Sequence, residues 1–156
     1  MARITKISFD LQSRIEPDYY CTAMKYFREG KDFSFLIWQD FYQFISEWLS
    51  SKGFGVRFPF SENGFINIET FHHQESIGSI KCIWLLKKFS LNRTVGIKVL
   101  RQLEYLVYKS EANKGMLVTT SVLSKTALSF IEENNLKYGY MDGRILNKTF
   151  QKEAGL

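Results

Sequence analysis

The fold is decided by the stretch Lys114-Gly115-Met116-Leu117-Val118-Thr119-Thr120-Ser121, an apolar run that ends in hydroxyl residues. Its length and composition predict a short buried strand. A helical pattern from Val95 to Tyr108 precedes this strand, and Ser124 is a suitable N-cap for a helix over residues 125–134. Strands that alternate with helices in this way favour an α/β sheet covered on both faces.

Further strands are predicted on both sides of this unit. Upstream, Phe65–Phe71 and Ile80–Leu86 form two strands joined by a polar turn. Apolar residues occupy both faces of the second strand, which indicates a central, doubly covered position. Downstream, Tyr138–Met141 is the last strand, and Asp142-Gly143 forms the turn before a short terminal helix.

The N-terminal part of the chain contains a first amphipathic helix and an extension. The helix begins near Trp38 and ends before Gly53, which acts as a C-cap. Alternating residues predict a strand over Ile4–Leu11, and helical spacing runs from Pro17 to Gly30. We expect an N-terminal extension of unassigned role over residues 1–35, the main domain over 36–152 and a tail over 153–156.

The bulk composition is that of one ordinary domain. The chain has 156 residues, of which 45% are hydrophobic and 16% aromatic, so disorder is not expected. Its apolar runs are too short to cross a bilayer, and residues 1–6 lead into no secretory signal, which predicts a cytoplasmic protein. A net charge of +5 fits a phosphate-binding surface, but it also fits many proteins without a nucleic-acid partner.

Three segments resemble the catalytic domain of Mrr-type restriction endonucleases. They are Thr94–Leu103, Lys114–Ser121 with the residues that follow it, and Tyr140–Leu146. The resemblance implies a restriction-endonuclease-like three-layer α/β/α core with a central mixed sheet. It also implies DNA as a partner, Mg²⁺ as the cofactor of an active member, and a role in DNA restriction or phage defence.

The family belongs to the PD-(D/E)xK nucleases, whose site combines three acidic or amide positions with a lysine. Oxygen ligands hold Mg²⁺, and the lysine adds positive charge near the scissile phosphate. Carried over position by position, Tyr42 replaces the acidic residue of the first helix, Asn67 the aspartate, and Leu85 the Glu or Gln. Lys87 is retained. We therefore expect a degenerate site that holds Mg²⁺ poorly.

Two alternatives remain open. Glu69 lies two residues beyond Asn67 on the same face of a strand, so it could supply a displaced carboxylate and weakly bind a metal in an active endonuclease. Alternatively, the chain is a protein-interaction module that docks a partner through the aromatic segment Ile4–Phe35. A DNA-binding protein of this kind would act alone, as a homodimer, or with an active nuclease or another protein subunit. No membrane association is expected.

A second set of residues is predicted to contact the DNA backbone. Four basic residues follow Lys87 within fifteen positions: Lys88, Arg93, Lys98 and Arg101. They predict a groove for phosphates, although a solvated face explains them equally well. The hydroxyl residues Thr119, Thr120 and Ser121 are assigned to hydrogen bonding or phosphate contact.

Overall fold

The computed structural model describes residues 24–25, 28–30, 38–57, 66–76, 78–89, 93–153 and 155. The predicted strand Ile4–Leu11 lies outside these residues. So does most of the predicted helix Pro17–Gly30. The division into an extension and a main domain therefore stays a prediction.

The described residues form four helices and seven strands in α/β order. The helices are α1 (Trp38–Ser51), α2 (Ile97–Lys109), α3 (Lys125–Glu133) and α4 (Gly143–Glu153). The strands are β1 (Gly55–Arg57), β2 (Ile66–Gln74), β3 (Gly78–Lys87), β4 (Thr94–Val95), β5 (Lys114–Thr119), β6 (Val122–Leu123) and β7 (Tyr138–Met141). None of these helices is long and apolar enough to cross a membrane.

Five strands form one mixed sheet in the order β1-β2-β3-β5-β7. The pairs β1–β2 and β2–β3 are antiparallel, whereas β3, β5 and β7 are parallel and are connected through α2 and α3. This arrangement confirms the predicted α/β fold with a central mixed sheet. The carboxyl ends of the three parallel strands meet at one edge, and β2 begins at that edge because it runs the opposite way.

Each face of the sheet is covered by helices, as the apolar pattern of β3 predicts. Trp84 and Leu86 point into the α1–α4 core, which also contains Phe44 of α1 and Phe150 of α4. The rings of Phe44 and Phe150 meet edge-on, with their centroids 4.7 Å apart. The alternate residues Ile83 and Leu85, in contrast, point into the opposite α2–α3 core. Burial on both faces therefore fixes the register of β3, since a slip by one residue would exchange the two sets.

Local sequence signals explain where several of the helices begin or end. Gly53 adopts a φ of +92° immediately after α1, a conformation that favours glycine, and Ser124 caps α3 by accepting a hydrogen bond from Ala127 N at 3.2 Å. Several boundaries differ from the prediction: β2 ends at Gln74 instead of Phe71, β3 begins at Gly78 instead of Ile80, and α2 begins at Ile97 instead of Val95. Thr94 and Val95 instead form β4 and pair with β6 in a small parallel sheet.

Candidate functional site

Three of the predicted site residues come together where β2 begins and β3 ends. Asn67 is paired with Leu85 across the antiparallel β2–β3 ladder, and Lys87 follows two residues later on the same face. Lys87 is in turn beside Thr119, the last residue of β5. All of these side chains lie on the α2–α3 face of the sheet, at its carboxyl edge.

The chemistry of this group is poor for a divalent metal. Asn67 is 4% exposed and offers a neutral amide, whereas Leu85 is fully buried and offers only methyl groups. Within the described part of the chain, no three His, Cys, Asp or Glu residues are close enough to hold a metal ion. Because Mg²⁺ is normally held through carboxylates, the residues present do not fit such an ion.

Tyr42 lies in a different part of the structure from Asn67, Leu85 and Lys87. It packs against the α1–α4 core, on the other side of the sheet from the face that carries Lys87. Burial raises the pKa of its phenol above the usual range, so the group is neutral at physiological pH. A neutral phenol in this place supplies no negative charge for a metal.

Glu69 is buried among cations. Its side chain is 7% exposed, and its Oε1 atom lies 2.8 Å from Arg57 Nη2 and 3.4 Å from Lys81 Nζ. We call Arg57, Glu69 and Lys81 the Glu69 network. The carboxylate considered as an alternative, displaced metal ligand therefore pairs with two positive charges of the protein itself, the mostly buried Lys81 and the mostly exposed Arg57.

Lys81 connects this network to the end of α2. Its Nζ donates a hydrogen bond to the carbonyl oxygen of Ser110, the C-cap residue of α2, at 2.7 Å. Its backbone N–H donates to Asn113 Oδ1 at 2.9 Å, and its carbonyl accepts from Asn113 N at 2.8 Å. Sequence reasoning missed Arg57 and Lys81. Arg57 meets Glu69 only through the pairing of β1 with β2, which no short sequence pattern reveals.

A second group of charges lies at the carboxyl edge itself. Lys87 Nζ is 5.2 Å from the centre of the Phe89 ring, and the Arg93 guanidinium carbon is 4.8 Å from the same centre. We call Lys87, Phe89 and Arg93 the basic cluster. Burial, and then the nearby charge of Arg93, lower the pKa of Lys87. Phe89 was not among the predicted site residues, although its place soon after the retained lysine was a usable signal.

The hydroxyl residues at the end of β5 include two that bind the backbone of Phe89 and Arg93. Thr120 Oγ1 donates to the carbonyl oxygen of Phe89 at 2.8 Å and accepts from Phe89 N at 3.0 Å. Ser121 Oγ donates to the carbonyl oxygen of Arg93. Thr119 Oγ1 accepts from Ser121 N at 3.2 Å. All three residues are buried, and the hydroxyls of Thr120 and Ser121 attach the backbone at Phe89 and at Arg93 to the end of β5.

Gly143, the first residue of α4, packs directly against the backbone that follows β5. Gly143 N donates to the carbonyl oxygen of Ser121 at 2.7 Å. A Cβ atom at this position would overlap the carbonyl group of Thr120, which is backbone and cannot rotate away. The start of α4 can therefore approach the end of β5 only with glycine at this position.

The remaining predicted DNA contacts have different surroundings. Lys88 is half-buried after β3, and Lys98 is exposed in the first turn of α2. Arg101 is also exposed, but its Nη1 atom lies 3.1 Å from Glu104 Oε1 and its guanidinium carbon 5.0 Å from the centre of the Phe130 ring. Because Ser110, the C-cap residue of α2, contacts Lys81 near the middle of β3, the first turn of α2 lies toward the carboxyl edge.

A family model for the Mrr catalytic domain, described as a restriction endonuclease, matches residues 34–149. No curated protein matches. Among solved structures, the DNA modification-dependent restriction endonuclease AspBHI is 18% identical with a TM-score of 0.48. The match covers 66% of the present chain and 26% of the AspBHI chain.

Two further solved structures are similar to this chain at comparable levels. MspJI restriction endonuclease, solved with a 27-mer oligonucleotide, is 17% identical with a TM-score of 0.47, covering 70% of this chain and 26% of its own. EndoMS in its apo form is 20% identical with a TM-score of 0.41, and the match covers 63% of the present chain and 44% of the EndoMS chain. The present chain thus spans less than half the length of each of these proteins.

Proposed function

For a chain that belongs to the Mrr-type restriction endonuclease family, we propose a function in binding DNA without metal-dependent cleavage. The domain itself is a restriction-endonuclease-like nuclease domain. The observation that carries the proposal is the group at the carboxyl edge, where Asn67 and Leu85, which we align with carboxylate or amide positions of the family, pair across β2 and β3 near Lys87.

The absence of cleavage follows from what these side chains can do. In the family, a divalent ion stabilises charge on the phosphate and lowers the pKa of the attacking water. One amide oxygen from Asn67 and the methyl groups of Leu85 are a poor substitute for carboxylates, because Mg²⁺ gives up its hydration water reluctantly. Lys87 alone can attract a phosphate but cannot generate the nucleophile.

The alternative of an active enzyme with a displaced carboxylate depends on Glu69. To bind a metal, Glu69 would have to leave Arg57 and Lys81, and Lys81 would then remain a mostly buried cation beside the end of α2. Breaking one side of a buried ion pair is strongly unfavourable. We therefore assign Glu69 to the stability of the sheet and not to catalysis.

Binding to DNA is supported by the distribution of positive charge. Lys87, Arg93 and Lys98 lie toward one edge of the sheet, and the whole chain carries a net charge of +5. Such residues neutralise backbone phosphates and position a duplex without reading its sequence. We propose a role in DNA restriction or phage defence in the cytoplasm, alone, as a homodimer, or beside an active nuclease or other subunit.

The test combines salt-dependent gel retardation with plasmid nicking in Mg²⁺ or Mn²⁺. The protein is compared with its Lys87→Ala and Glu69→Ala variants. We expect retardation that weakens steeply as salt rises, and no nicking by any of the three proteins. Nicking that is lost in the variants would establish a relocated working site. An absence of retardation at low salt would instead favour a protein-interaction module.

A further inference from the structure

We propose that Lys87 and Arg93 form a clamp for a DNA backbone phosphate that requires no divalent metal, and that Thr120 and Ser121 hold this clamp in place. The inference rests on the proposed DNA-binding function and names the part of the surface that carries it. It assigns the buried hydroxyls a positioning role instead of direct contact with phosphate.

The first argument is the closeness of two like charges. Lys87 Nζ and the Arg93 guanidinium both lie about 5 Å from the centre of the Phe89 ring. They are therefore no further apart than about one Debye length, roughly 10 Å at 0.1 M salt, so solvent ions screen their repulsion only in part. The lowered pKa of Lys87, to which Arg93 contributes, agrees with this repulsion. An anion bound by both groups would relieve it.

The second argument is that the two cations are held before any ligand arrives. The Phe89 ring gives each cation a favourable electrostatic contact. Thr120 makes two hydrogen bonds to the backbone of Phe89, and Ser121 donates one to the backbone of Arg93. Because these hydroxyls are buried, the backbone at Phe89 and at Arg93 loses little conformational freedom when a phosphate binds.

The third argument concerns the positive charge that a metal would otherwise place beside the phosphate. A guanidinium is always charged, and its planar fork suits the oxygens of a phosphate. Arg93 therefore supplies a second positive charge beside Lys87. It cannot replace the metal in activating a water molecule, so the clamp explains binding that is separated from cleavage.

The test measures the affinity of a fluorescent duplex by anisotropy, in EDTA and over a range of salt. We compare the parent with Arg93→Gln and Lys87→Gln. The matched control is Lys109→Gln, which removes the same charge at the far end of α2, where Lys109 Nζ lies 5.6 Å from the centre of the Tyr105 ring. Circular dichroism checks that each variant is folded.

We expect the parent to bind at least as well in EDTA as in Mg²⁺ at matched ionic strength, because Mg²⁺ competes with the two cations for phosphate. Arg93→Gln and Lys87→Gln should each lower the affinity about 5- to 10-fold and reduce the log–log salt slope by about one phosphate contact. Lys109→Gln should change the affinity less than about twofold. Thr120→Val should weaken binding with little change in the slope, and Thr120→Ser, which keeps the hydroxyl, should recover it.

Each contrary outcome has a distinct meaning. If the parent binds DNA but Arg93→Gln and Lys87→Gln behave like Lys109→Gln, the clamp is wrong and the proposed function stands. Binding that requires Mg²⁺ would also overturn the clamp. If the parent does not bind DNA at all, the proposed function fails and the clamp fails with it.

Discussion

The Glu69 network and Lys87 of the basic cluster lie on the same face of the sheet, yet the charges of the two groups are arranged in opposite ways. In the network, one carboxylate lies between Arg57 and Lys81, and all contacts close within the protein. In the basic cluster, two cations share one aromatic ring and repel each other. The first arrangement suits a structural role, and the second suits a ligand of negative charge.

The same comparison bears on the proposed absence of a metal site. Asn67 offers a neutral amide at the carboxyl edge, and Leu85 is one more apolar side chain of the α2–α3 core. Glu69 carries a negative charge, but Arg57 and Lys81 pair with it. Under the proposed function, the carboxyl edge therefore offers positive charge for a phosphate and little negative charge for a metal.

The largest expected effect is a loss of stability when the carboxylate of the Glu69 network is removed. Glu69→Ala should lower the free energy of unfolding by about 3 kcal/mol, because it leaves Lys81 mostly buried without its carboxylate. Urea denaturation followed by fluorescence measures this change. Glu104→Ala, which removes the carboxylate of the exposed Arg101–Glu104 pair, is the control and should cost less than about 1 kcal/mol. Equal effects in the two variants would contradict a structural role for the network.

The next effect concerns the support of the basic cluster. Thr120→Val should lower the free energy of unfolding by about 2 kcal/mol, because the backbone N–H and carbonyl of Phe89 lose their partner in a half-buried position. Thr120→Ser should recover most of the loss. The same urea titrations measure both variants. A Thr120→Val protein as stable as the parent would mean that the loop is held by other contacts.

A smaller effect is expected in the pH dependence of DNA affinity. The protonated form of Lys87 binds phosphate, and its pKa is lowered, so affinity should be complete near neutral pH and fall as pH rises through that lowered pKa. The fall should begin below the ordinary lysine pKa of about 10.4. Lys87→Arg should reduce the fall, since a guanidinium stays charged. Identical profiles for the two proteins would argue against phosphate contact by Lys87.

The smallest effect concerns Lys87, whose removal should not lower the stability of the protein. Lys87→Met should leave the free energy of unfolding unchanged or slightly higher at neutral pH, because it removes a partly desolvated cation beside Arg93. The parent should gain stability as pH rises from the lowered pKa toward the unfolded value, whereas the variant should not. Thermal unfolding at several pH values measures this. A clear loss of stability in Lys87→Met would place Lys87 with the structural residues.

Much of the fold was predictable from the sequence because its signals are local. The apolar pattern on both faces of β3 and the cap residues Gly53 and Ser124 predict elements that the structure contains. The small β4–β6 sheet was missed, since strands of two residues have no periodicity to detect. Its pairing depends on residues that are distant in sequence.

The site was predictable only in part for the same reason. The spacing that relates Asn67, Leu85 and Lys87 to the family pattern agrees with their neighbouring places on β2 and β3. The partners of Glu69 come from β1 and β3, twelve residues away in either direction, and no short pattern reveals them. The bonds from Thr120 and Ser121 to the loop are likewise non-local.

The most direct test of the central claim is the binding of Mn²⁺ to the unmodified protein, followed by the electron paramagnetic resonance signal of the unbound ion. We predict that the protein leaves this signal undiminished, because Asn67 and Leu85 offer no carboxylate and Glu69 is held by Arg57 and Lys81. A stoichiometric loss of signal that Glu69→Gln reverses would contradict the account, since it would show that Glu69 leaves its internal partners to bind a metal.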